Sequence, residues 1–154
     1  MASEKAHSAA GMTAGGIAAF ARSGNQEPIN QLAEALGGVI GGRFGGRLPD
    51  MIEPAIHSWH RGPAHSVTMG AGLLASAGGG IAMWETDWRA RAASFAERKT
   101  DPRLSEAERL LYGVVDLSCR IAAGLAVGLV AGYLSHLALD AGTPRSIPLL
   151  KRGL

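Results

Sequence analysis

The sequence predicts an all-α protein, an up-down-up-down bundle of Gly- and Ala-rich helices packed close together, with a metal site at one end. Three observations carry this. Strand signals are poor, because β-branched residues are sparse and the apolar runs are rich in Ala. Glycines recur at four-residue spacing, which places them on one face of a helix. The histidines fall at segment ends that an alternating bundle brings together.

Composition narrows the classes. At 154 residues the chain is expected to form a single helical domain, 1–154. Its 15 Lys+Arg against 13 Asp+Glu are too even to suggest a nucleic-acid partner, and none is expected. Cys119 is the one cysteine, which excludes an intrachain disulfide framework and a Cys-based zinc finger. The 22 glycines are about double average usage but follow no three-residue period, so the chain is not collagenous. An apolar fraction of 47% argues against disorder.

Helix one is expected at about 4–22, closed by Ser23-Gly24-Asn25. Helix two, about 27–46, opens on Glu27-Pro28 and carries doubled glycines at 37/38, 41/42 and 45/46, a pattern suited to close backbone approach. A loop, 47–62, follows with Pro49 and Pro54. Helix three, about 63–98, has Pro63 in its first turn. Its second half lies in a mixed-charge stretch, Glu85 to Arg109, that reads as a solvated face. Asp101-Pro102 breaks that stretch, and Ser105-Glu106-Ala107-Glu108 starts helix four, about 105–141, which Gly142 and Pro144 stop.

Two runs lack Asp, Glu, Lys and Arg: Val67 to Trp84 and Ile121 to Leu139. Each has the length of a membrane span, but about half of each is Gly, Ala, Ser, Thr or His. Membrane helices pack through small residues, so the runs fit either a bilayer or the core of a soluble bundle. Arg and Lys flank both runs on both sides, so charge gives no orientation.

In an alternating bundle the starts of helices one and three meet the ends of two and four. His7, His57, His60, His65 and His136 would then converge with Asp50 and Asp140. Gly124, Gly128 and Gly132 continue at the same spacing into His136 and Asp140, and His7 into Gly11 and Gly15. Antiparallel packing of these helices sets glycine against glycine and His7 beside His136 and Asp140. His7, Asp50, His60, His65, His136 and Asp140 are the candidate ligands. Imidazole and carboxylate without thiolate suit Zn²⁺ first, with Mn²⁺ or Fe²⁺ also accommodated. Such an ion activates water and polarises a phosphoryl or carbonyl oxygen. Arg61 is a candidate clamp for substrate charge, and Glu53 a candidate general base or extra ligand. Ser66, Ser135 and His57 are candidates to orient ligands. No nucleophile elbow, Cys-His pair or phosphate loop competes.

These residues resemble the YdjM-type family of LexA-regulated, metal-dependent hydrolases of the bacterial inner membrane. The resemblance rests on His7 to Gly11, Leu48-Pro49-Asp50, His60-Arg61-Gly62 through His65-Ser66, and Gly132-Tyr133 through His136, Asp140 and Thr143. It implies a multi-helix inner-membrane protein and a metal-dependent hydrolase. The family loop reads close to Leu-Pro-Asp-x-Asp-His-Pro, whereas Ile52 and Glu53 stand at its later positions here. Glu53 can replace a ligand and Ile52 cannot.

Two functions follow. The first is a phosphoesterase-like hydrolase acting on a lipid or membrane-proximal substrate. The second is a non-catalytic helical membrane or assembly protein with a structural or vestigial metal site, whose glycine faces associate into a homo-oligomer. The expected location is the bacterial inner membrane, with membrane lipid as a partner; the soluble-core reading of the runs would place it in the cytoplasm.

Overall fold

The computed structural model describes residues 3–53, 64 and 66–141, and among them the regular structure is all helix, with no strand. The elements are α1 (Glu4–Arg22), α2 (Pro28–Gly45), a short α3 (Leu48–Ile52), α4 (Val67–Lys99) and α5 (Glu106–Ala141). Their ends follow local chemistry. Ser3 caps α1 by accepting the Ala6 N–H, and Ser66 caps α4 by accepting that of Met69. Ser105 and Glu108 cap α5 reciprocally, each accepting the other's backbone N–H. Gly24, at φ +66°, makes the left-handed turn between α1 and α2.

Two boundaries differ from the sequence expectation. Leu48–Ile52 is a helical turn rather than loop. Pro49 sits in its first turn, where a missing N–H costs nothing, and the backbone bond from Glu53 to Pro49 closes it. The third long helix starts at Val67 behind the Ser66 cap; Pro63 lies outside the described residues, as do Gly142 and Pro144.

α1 runs antiparallel to α2 and to α5, and α4 runs antiparallel to α5, so the long helices alternate in direction. The parallel pair, α2 and α5, also touches intimately. Doubled glycines allow this because α2 faces two neighbours at once. A Cβ on Gly37, Gly41 or Gly45 would lie 1.9–2.2 Å from the α5 carbonyl oxygens of Ile121, Leu125 and Leu129. A Cβ on Gly38 or Gly42 would lie 2.3 or 2.1 Å from the α1 carbonyl oxygens of Gly15 and Gly11. Gly124, Gly128 and Gly132 of α5 abut the α2 backbone equally closely. The seam is therefore backbone against backbone, a packing that only glycine permits.

Side chains are sorted by size in the opposite sense to a soluble core. The buried apolar residues are mostly small: Ala19, Ala33, Ala92, Ala123 and Cys119. Large apolar residues point outward, with Ile29, Leu32, Leu36, Ile40 and Phe44 of α2 exposed by 54, 60, 49, 39 and 60%. Water would oppose such a ridge and hydrocarbon would welcome it. α5 is long and apolar enough to cross a membrane, with a mean hydropathy of 1.8 over its best 18 residues. The uncharged run 67–84 forms the first half of α4, much of it facing outward.

The charged stretch is only partly the solvated face expected of it. Glu85 is buried and receives Arg22 and Arg89. Arg89 also grips buried Glu34 with two bonds of 2.9 and 2.6 Å. Gln26 donates to Glu34 and accepts from Arg120, which pairs with buried Asp116, as does Lys99. One continuous network thus joins α1, α2, α4 and α5. The links that join the helices, Arg22 to Glu85, Arg89 to Glu34 and Arg120 to Gln26, connect residues far apart in sequence, so charge density alone could not distinguish the network from surface.

Candidate metal centre

His7, Asp50, His136 and Asp140 meet at the bundle end opposite that network. His7 arrives from the first turns of α1, Asp50 from α3, and His136 and Asp140 from one face of α5, four residues apart. The glycine seam makes the convergence geometric: with Gly15 against Gly128, two turns of α1 toward its start and two turns of α5 toward its end bring His7 to His136.

The imidazoles of His7 and His136 stack, with centroids 3.8 Å apart and planes tilted by 20°. His7 Nε2 lies 3.7 Å from Asp140 Oδ1. His136 Nε2 lies 3.6 Å from Asp140 Oδ2 and 3.7 Å from Asp50 Oδ1. These separations exceed hydrogen-bond length. They approach the roughly 3.4 Å between neighbouring ligand atoms when four bonds of about 2.0–2.1 Å surround one ion tetrahedrally. Ligand atoms of His7, Asp50 and His136 all fall within 4.8 Å of one another. The His7, His136 and Asp140 side chains are almost wholly buried, whereas that of Asp50 is 41% exposed, so the cluster reaches solvent on the Asp50 side.

His136 is also oriented. Its Nδ1 lies 2.8 Å from the carbonyl oxygen of Gly46. A carbonyl only accepts, so Nδ1 carries the proton and, in the neutral ring, Nε2 keeps its lone pair toward the carboxylates. A backbone carbonyl holding the far nitrogen is the usual support of a metal-binding histidine. The donor set and this support fit a divalent cation.

The remaining candidates have other surroundings. Glu53 accepts the backbone N–H of Ala64 at 3.0 Å, tying the end of α3 to the approach to α4. Tyr133 Oη donates to the Ala64 carbonyl, so this buried residue is held from both sides. Ser66 caps α4 and also takes the hydroxyl of Thr68. Ser135 donates to the Gly132 carbonyl of its own helix at 2.7 Å. Ile52 is exposed. His57, His60, Arg61 and His65 lie outside the described residues. Sequence reasoning missed Gly46 and Tyr133 as supports. A backbone carbonyl carries no residue-type signal, and Tyr133 stands in the sequence only as a member of the Gly132 to Thr143 block, with no role of its own.

The chain matches the family model described as YdjM inner membrane protein over residues 1–151. No curated protein and no solved structure is matched.

Proposed function

The chain belongs to the YdjM inner membrane protein family, a bacterial family, and on that premise we propose that it is a metal-dependent hydrolase acting on a phosphoester presented at the membrane surface. The observation that carries the reading is the approach of two buried imidazoles and two carboxylates at 3.6–3.7 Å, one imidazole fixed by the Gly46 carbonyl.

In this reading His7, His136, Asp50 and Asp140 hold a divalent ion, with Zn²⁺ the best match to the donors. The ion supplies Lewis acidity for water and for a phosphoryl oxygen. Gly46 keeps the His136 proton on Nδ1, and Asp140 spans the two imidazoles with its two oxygens. Burial excludes bulk water from three of the four groups, and substrate approaches past Asp50. His60 and His65 are proposed further ligands and Arg61 the clamp on the anionic substrate, with His57, Ser66 and Ser135 in supporting positions. Glu53 is the proposed general base or extra ligand, with one carboxylate oxygen also accepting the Ala64 N–H.

A second reading is a structural ion that staples α1, α3 and α5, supported by Ile52 and by the use of Glu53 as a tether. Full-length protein in detergent, loaded with Zn²⁺, tests both through metal content and hydrolysis of a chromogenic phosphodiester. Hydrolysis that disappears in Asp140→Ala with helical content retained supports the enzyme. Bound metal that raises the melting temperature of an inert protein supports the staple, and failure to bind any divalent metal sinks both.

A further inference from the structure

A shallow cavity of about 370 Å³, open to the surroundings along much of its rim, lies between the first turns of α1 and the last turn of α2. Its walls include Lys5, Ser8 and Met12 of α1, and Arg43 and Arg47 of α2 and its end. Lys5, Ser8 and Met12 occupy a different helix face from His7 and Gly11, so the cavity flanks the α1–α2 seam on the side away from the stacked imidazoles. It is a separate feature of the same bundle end.

Its charge is unbalanced. Three cations line it against one carboxylate, Glu4, and that carboxylate is paired with Arg47. Lys5 and Arg43 are exposed and form no ion pair among the described residues. The cationic lining adjoins an exposed apolar stripe. Arg43 follows Ile40 and Leu36 on the outward ridge of α2, and Met12 faces the cavity from α1 two turns beyond Lys5. A basic patch beside an outward-facing apolar stripe has the polarity of an amphiphile with an anionic head and a hydrocarbon tail. Lys and Arg at such a boundary hold headgroup phosphate while their stems lie along the chains.

We propose that this cavity binds an anionic phospholipid, with its phosphate on Lys5 and Arg43 and an acyl chain over Met12, Ile40 and Leu36. The site is independent of any hydrolytic activity. Arg47, already paired with Glu4, shapes the wall and adds field rather than a free donor.

Native mass spectrometry of the full chain in detergent tests the proposal, with phosphatidylglycerol and phosphatidylcholine of identical acyl chains as probes. The expected result is preferential retention of phosphatidylglycerol, reduced about fivefold by Lys5→Gln or Arg43→Gln and further by both. Arg103→Gln, an exposed cation in the α4–α5 turn, leaves the preference unchanged. Millimolar inorganic phosphate leaves the lipid bound. Equal retention of the two lipids, an undiminished preference in the folded double variant, or displacement by inorganic phosphate overturns the proposal. Helical content by circular dichroism shows that each variant is folded.

Discussion

The Nδ1 of His136 lies 2.8 Å from the carbonyl oxygen of Gly46, a residue at the end of a helix from a distant part of the chain. The same glycine touches α1: a Cβ placed on it would lie 2.6 Å from the His7 carbonyl oxygen. Gly46 thus touches both histidines, orienting the His136 ring through its carbonyl and admitting the His7 backbone through its missing side chain.

Gly46→Ala is therefore expected to weaken the metal site without deleting a ligand. The methyl group must push α1 from α2 or move the carbonyl from His136, and either loosens the donor set. Loss of such orienting support lowers metal affinity by roughly 10–100-fold. Zn²⁺ titration against a chromophoric chelator reads this directly. An unchanged affinity in a folded variant would remove Gly46 from the account.

Glycines at the seam and glycines facing outward predict opposite responses to alanine. Gly41→Ala and Gly128→Ala place a methyl group about 2.2 Å from a backbone oxygen, which cannot swing aside as a side chain would. Overpacking of this kind costs about 1–3 kcal/mol. Gly79 of α4 has nothing within 4 Å of its Cβ position, so Gly79→Ala gains up to ~1 kcal/mol of helix preference. Thermal unfolding in one detergent should separate the two classes. Equal destabilisation at Gly41 and Gly79 would show that the seam is not what holds the helices together.

The contrast explains what was legible in the sequence. The four-residue series through Gly124, Gly128 and Gly132 pointed to His136 and Asp140, because a helical period fixes direction as well as face. His7, Asp50, His136 and Asp140 meet as that alternation of helices requires. The direct α2–α5 contact was not legible: parallel helices in an alternating bundle usually stand diagonally, and only backbone-level packing lets them touch. Leu48–Ile52 was hidden because two prolines nearby read as loop, although Pro49 is well tolerated in a first turn. The burial of Glu85 was hidden because the sequence around it is charged on every side.

Arg89 is expected to matter more for stability than its position in that charged stretch suggests. Its two bonds to Glu34 compensate a carboxylate that is 1% exposed. Arg89→Ala leaves Glu34 with Gln26 as its donor and no cation among the described residues, and breaking a buried pair from one side costs about 3–5 kcal/mol. Arg103→Ala, outside the network, stays within about 0.5 kcal/mol. Adding Glu34→Gln to Arg89→Ala removes the stranded charge and should recover part of the loss. Denaturant titration of these three variants and of Glu34→Gln alone checks the order, and an additive double variant would refute the coupling.

The outward ridge of α2 makes a further prediction about the bilayer. Leu32, Leu36 and Ile40 lie on the face opposite the glycines that contact α1 and α5, and each is exposed by between 39 and 60%. If that face meets lipid, nitroxides at Leu36→Cys and Ile40→Cys, in a Cys119→Ala background, collide more with oxygen than with a water-soluble nickel chelate. A label at Arg103→Cys shows the reverse, because Arg103 is exposed in the turn between α4 and α5. The distinction is physical: oxygen partitions into hydrocarbon, and a charged or strongly hydrated chelate does not. Nickel-dominated relaxation at Leu36 would place the ridge in water. It would then require a protein partner to cover it, since five large apolar side chains on one helix face form a patch that water does not tolerate without cost.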